Sequence, residues 1–125
     1  MSDSIKKYKE IWEPIEEKVE PTSTHDFKEP NPRKNYPMYR GLLSVFPKSL
    51  SYVSYVSNKG NDQHHPNTPI HWDRNKSNDH LDALVRHLTD HSVNPIDDDE
   101  LLHLGKVAWR ALAMLEIYLE ENEIR

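Results

Sequence analysis

The sequence contains no cysteine. That excludes a disulfide framework and zinc–thiolate sites. No apolar run approaches the roughly 18 residues that a membrane span requires. The opening stretch MSDSIKKYKE has no apolar core of a secretory signal. A reducing cytoplasm is the expected compartment, and no membrane is expected as a partner. Apolar content is also low. Leu, Ile, Val and Phe supply 28 of 125 residues, close to the level at which chains stop packing by themselves. At 14.7 kDa the chain is one domain's worth, with roughly two-thirds of its surface buried on folding. The net charge of −5 argues against a general coat for a nucleic-acid polymer.

Eight His and nine Pro stand out against this background. Residues 5–20 place Ile5, Tyr8, Ile11, Trp12, Ile15 and Val19 at helical spacing, interrupted by Pro14. Residues 21–37 hold four prolines among polar residues and read as an extended arm. The chain therefore divides into an N-terminal helix and Pro-rich arm, 1–37, and a helical domain, 38–125. Within the domain, the spacing of Leu42, Leu43, Phe46, Leu50 and Val53 predicts helix over 38–57, with Pro47 suited to a first helical position. Residues 58–77 are a 20-residue polar stretch, which we read as a functional loop.

Residues 78–91 predict a helix capped by Ser77, with Leu81, Leu84, Val85 and Leu88 as its core stripe. Residues 98–121 predict the longest helix, with Leu101, Leu104, Ala108, Ala111, Leu115 and Tyr118 at bundle spacing. The fold class is mostly α: a small helical bundle with a long polar functional loop and an extended N-terminal arm.

Three constellations could carry chemistry. Asp79 and Asp82 form an i, i+3 carboxylate pair able to grip Mg²⁺ or Mn²⁺. The plainer reading is helix-dipole charge with an Asp82–Arg86 pair. His87 and His91 have i, i+4 spacing for a transition metal, but no third ligand stands at a recognisable spacing. The third constellation is basic. Arg74 and Lys76 precede one helix, Arg86 and His87 lie along it, and His103, Lys106 and Arg110 lie along the next. Together they suit phosphate binding. His64, His65, His71 and Trp72 could hold a base.

The segment GNDQH, the run HWDRNKSNDHLDALVRH and the later AWRAL occur in order. On these motifs, over roughly residues 38–120, the chain resembles the phage-encoded dATP/dGTP diphosphohydrolase-like family. That family consists of all-helical relatives of the MazG-type nucleotide pyrophosphohydrolases. The resemblance implies metal-dependent hydrolysis of a purine dNTP to dNMP and pyrophosphate. Asp79 and Asp82 would hold the metal, and His87 or His80 would orient water. Asn61, Gln63, His64, His71, Trp72, Arg74, Lys76, Arg86, His103, Lys106 and Arg110 would bind the nucleotide. MazG-type enzymes use two carboxylate pairs on facing helices. Here Asp79/Asp82 is the only pair in the matched stretch, with Asp97–Glu100 as a further source of carboxylates. The alternative is a non-catalytic sponge, which would sequester a host immune-signalling cyclic nucleotide without metal. The small apolar complement also implies a homo-oligomer.

Overall fold

The computed structural model describes residues 32–122. The expected helix at 5–20 and most of the expected arm lie outside the described residues. Two compact units are distinguished. The described part of the first includes a single helical turn, Pro32–Asn35. The second, Met38–Tyr118, carries every residue discussed below. It contains a π-helical turn, Tyr39–Leu43, two long helices, α1, Pro47–His64, and α2, His80–Val93, and all but the last three residues of a third, α3, His103–Glu121. Among the described residues there is no strand, only an isolated bridge between Ile96 and Leu102. No described helix is long and apolar enough to cross a membrane. The mostly α expectation holds.

Prolines set the helix boundaries. Pro47 opens α1, where its missing N–H is not needed. α1 runs to His64, because Pro66 disfavours helical geometry at His65. The polar stretch expected from residue 58 is therefore helical for its first seven residues, and the loop shortens to 65–79. Asn67 adopts φ 66° in the turn after Pro66, a conformation that Asn tolerates. α2 ends where Asn94 becomes extended before Pro95. Its N-cap is Asp79 rather than Ser77. The Ser77 hydroxyl instead donates to the Asp79 carboxylate.

The apolar stripes face the wrong way for a self-contained bundle. On α2, Leu81 is 62% and Val85 52% exposed, while His80 and Ala83 are buried. On α3, Leu115 is 53% exposed, while His103, Gly105 and Ala113 are buried. The buried apolar core is Val56, Ala83, Leu101 and Ala113, and no large side chain is completely buried. α2 and α3 instead meet through His87–His103 and His80–Arg110, and α3 meets α1 through Gly105 against Tyr52 and Val56.

Gly105 lets α1 and α3 approach closely. A Cβ there would lie 2.6 Å from Tyr52 Cε2 and 2.9 Å from Val56 Cγ2. The Tyr52 hydroxyl accepts the Leu102 N–H at 2.8 Å beside this contact.

Candidate functional site

The C-terminal half of α1, the 65–79 loop, the start of α2 and the middle of α3 enclose a cavity of about 470 Å³. Small-molecule sites commonly measure about 300–1,000 Å³.

One part of the wall is aromatic. Trp72 and Trp109 meet edge-to-face with ring centroids 5.6 Å apart. His80 joins them, 6.3 Å from Trp72 and 6.1 Å from Trp109. Arg74 lies over the Trp72 ring at 4.3 Å. Trp109 is therefore part of the site as well as of the packing.

Arg110 connects this aromatic cluster to the polar wall. Its Nη1 donates to His80 Nδ1 at 2.9 Å and to Ser77 Oγ at 3.1 Å, and lies 3.8 Å from the Asp79 carboxylate. The Ser77 hydrogen bond, followed by the Arg110 charge, holds the Asp79 carboxyl below its ordinary range. Burial and Arg110 both push the His80 pKa down. His80 is thus neutral, with Nδ1 accepting and Nε2 carrying the proton. The Asn61 amide nitrogen donates to the Thr68 carbonyl at 2.9 Å, which ties α1 to the loop. Asn61 Oδ1 and His80 Nε2 are buried without a hydrogen-bond partner among the described residues.

The loop gathers one ammonium and two imidazoles. The His65 and His71 rings lie 4.4 Å apart, and Lys76 Nζ lies 3.5 Å from His65 Nε2. His71 Nδ1 donates to the Pro69 carbonyl at 3.0 Å, which fixes that ring.

α2 and α3 meet through histidines. His87 Nδ1 and His103 Nδ1 are 3.0 Å apart, and Asp97 Oδ2 lies 3.9 Å from each. Lys106 Nζ bridges Asp97 at 2.7 Å and Asp99 at 2.6 Å. Burial disfavours the Lys106 charge, but the two carboxylates outweigh it and raise the pKa. Burial also raises the Asp99 carboxyl. Hydrogen bonds from Lys106, the Leu101 amide and Gln63 outweigh it and hold the group low. For Asp97, the Lys106 hydrogen bond is the largest influence, and it lowers the pKa. Burial pushes His87 down, and Lys106 adds to it.

The structure brings most of the residues singled out from the sequence to one place. Asn61, Gln63, His64, His71, Trp72, Lys76, Asp79, His80, His87, Lys106 and Arg110 all line the cavity. His103 stands behind His87. Arg74 borders a second, shallower groove of about 520 Å³. Asp82 and Arg86 are exposed and line neither. The loop also contributes Asp73, which no motif or spacing singles out. Asp97 enters only through the turn before α3, at separations that no helical spacing reveals.

No curated protein and no solved structure matches the chain. A family model described as dATP/dGTP diphosphohydrolase, N-terminal, matches residues 29–125. The match extends the sequence resemblance upstream of residue 38. The chain belongs to the dATP/dGTP diphosphohydrolase, N-terminal, family.

Proposed function

We propose that the Met38–Tyr118 unit binds a purine deoxynucleoside triphosphate, dATP or dGTP, and hydrolyses it to the monophosphate and pyrophosphate. The observation that carries the binding half is the junction at Arg110. In one cavity, an aromatic wall of Trp72, Trp109 and His80 adjoins a guanidinium and the Lys76–His65–His71 cluster. A base stacks on the first, and phosphates pair with the second. The hydrolytic half rests on the family.

Such hydrolysis draws on Mg²⁺ or Mn²⁺ at the phosphates. Asp79 offers this cation a carboxylate at the cavity, and Mg²⁺ often enters with one or two carboxylates and the substrate phosphates. The fit is partial. Ser77 and Arg110 already engage Asp79, and Asp82 is exposed outside the cavity. His80 has a proton on Nε2 and so donates to a ligand rather than accepting from water. His87 lines the cavity as a neutral imidazole.

That partial fit favours a second reading, sequestration without cleavage. A cavity richer in cationic groups and imidazoles than in free carboxylates suits holding an anion, including a cyclic host immune-signalling nucleotide.

One incubation separates the two. The protein is mixed with dATP, dGTP and cyclic nucleotides, with Mg²⁺, Mn²⁺ or EDTA, and free and heat-released species are read by chromatography and mass. Metal-dependent dNMP and pyrophosphate, lost in Asp79→Asn, establish hydrolysis. A nucleotide depleted in EDTA and recovered intact on heating establishes sequestration. No depletion and no product overturn both.

A further inference from the structure

The sequence offered His87 no third metal ligand. The fold supplies one. His87 and His103 face each other Nδ1 to Nδ1 at 3.0 Å. Two imidazole nitrogens on one tetrahedral ion, each about 2.0–2.1 Å from it, stand about 3.3 Å apart. A movement of a few tenths of an ångström would reach that spacing. Asp90, one turn beyond His87 on α2, joins the pair. These three residues offer ligand atoms that all lie within 4.8 Å of one another. Asp97 Oδ2 stands 3.9 Å from both Nδ1 atoms.

We propose that His87, His103 and Asp90 form a site for a first-row divalent transition ion such as Zn²⁺ or Co²⁺, with Asp97 as the fourth ligand. Imidazole with carboxylate selects such ions over Mg²⁺, which prefers an all-oxygen shell. His103 is 5% exposed, so its ring is fixed before any ion arrives. Asp90 is exposed, so the site has a solvent side for entry. Lys106 competes for Asp97 at 2.7 Å. Asp99, at 2.6 Å from the same ammonium, leaves Lys106 paired when Asp97 turns to the ion. The site involves neither Asp79 nor Asp82; it shares His87 with the cavity wall, and its test uses no nucleotide.

The test uses the full chain, stripped with a chelator and free of nucleotide, titrated with Co²⁺ and then Zn²⁺. One Co²⁺ per chain is expected, with the visible absorption of a tetrahedral nitrogen–oxygen site, displaced by one equivalent of Zn²⁺ and not by equal Mg²⁺. His87→Gln weakens binding by more than ~10-fold, as does Asp90→Asn. Lys106→Met strengthens it by about tenfold, because a nearby positive charge is gone. A misfolded variant cannot mimic that gain. Circular dichroism confirms retained helix in each case. Absence of stoichiometric Co²⁺ and Zn²⁺ uptake by the wild-type chain overturns the proposal. So does unchanged affinity in His87→Gln, or weaker binding in Lys106→Met with its helices intact.

Discussion

Arg110 Nη1 donates to His80 Nδ1 at 2.9 Å. A guanidinium only donates, so the contact fixes the tautomer of a buried imidazole and opposes its protonation. His80 therefore presents one N–H donor and no base. The same arginine contacts Ser77 and approaches Asp79, so it organises the entrance to α2.

Stability should fall in mild acid. His80 and His87 both hold pKa values below the ordinary 6.5, chiefly through burial. In the unfolded chain they take up protons at that ordinary value. Their contribution is complete above about pH 6.5 and is lost as pH falls below it toward the folded values. Thermal melts from about pH 7.5 down to about pH 5.5 should show a falling Tm, with a shallower slope in His80→Gln. Asp97 and Asp99, held low, contribute to a separate loss at more acidic pH, below the ordinary 3.8. A flat Tm across the first window contradicts the assigned neutral histidines.

Trp72→Ala should weaken purine nucleotide binding roughly tenfold, the scale of one lost base–aromatic stack. Trp72→Phe should retain most of the affinity. Calorimetric titration with dATP and dGTP reads the difference. Equal losses in the two variants would mean that Trp72 acts through its Arg74 contact instead.

Arg110→Gln should cost more with a triphosphate than with a nucleoside, by roughly tenfold, because only the phosphates use the guanidinium charge. Parallel titrations with dATP and deoxyadenosine give the ratio. An equal loss for both ligands would assign Arg110 to supporting His80 alone.

Gly105→Ala should destabilise the domain by about 1–3 kcal/mol, because the added methyl overlaps Tyr52 and Val56. Thermal unfolding at neutral pH reads it as a shift of several degrees. An unchanged Tm would show that the Tyr52 ring swings aside and gives up the Leu102 N–H.

Much of the site was legible because its chemistry is carried by residue type. The sequence singled out histidines, a tryptophan and cations in the predicted polar loop and along the two helices after it, and most of them meet in one cavity. The orientation of the helices was not legible. Reading an amphipathic helix assumes that its apolar stripe points inward, and here Leu81, Val85 and Leu115 are exposed while His80 and His103 are buried. Ser77 looked like a helix cap on local grounds, but Arg110, 33 residues away, draws it into another network. The end of α1 was within reach, since Pro66 dictates it. The scarcity of apolar residues after Val56 hid the continuing helix. Asp97 approaches His87 and His103 only because a tight turn, with Glu100 at φ 67°, folds the chain back before α3.

Gly105 does not itself line the cavity, yet it packs against Val56, which does, and it sets the spacing of two helices that bound the cavity. Asn61 stands on one and Trp109 on the other. Position 105 is thus a spacer of zero thickness, and each carbon added there would push those two walls apart. Discrimination by ligand size is then adjustable from a residue that no ligand meets. A search for altered nucleotide preference has reason to sample position 105, with a compensating smaller residue at 52 or 56, alongside the residues that line the pocket.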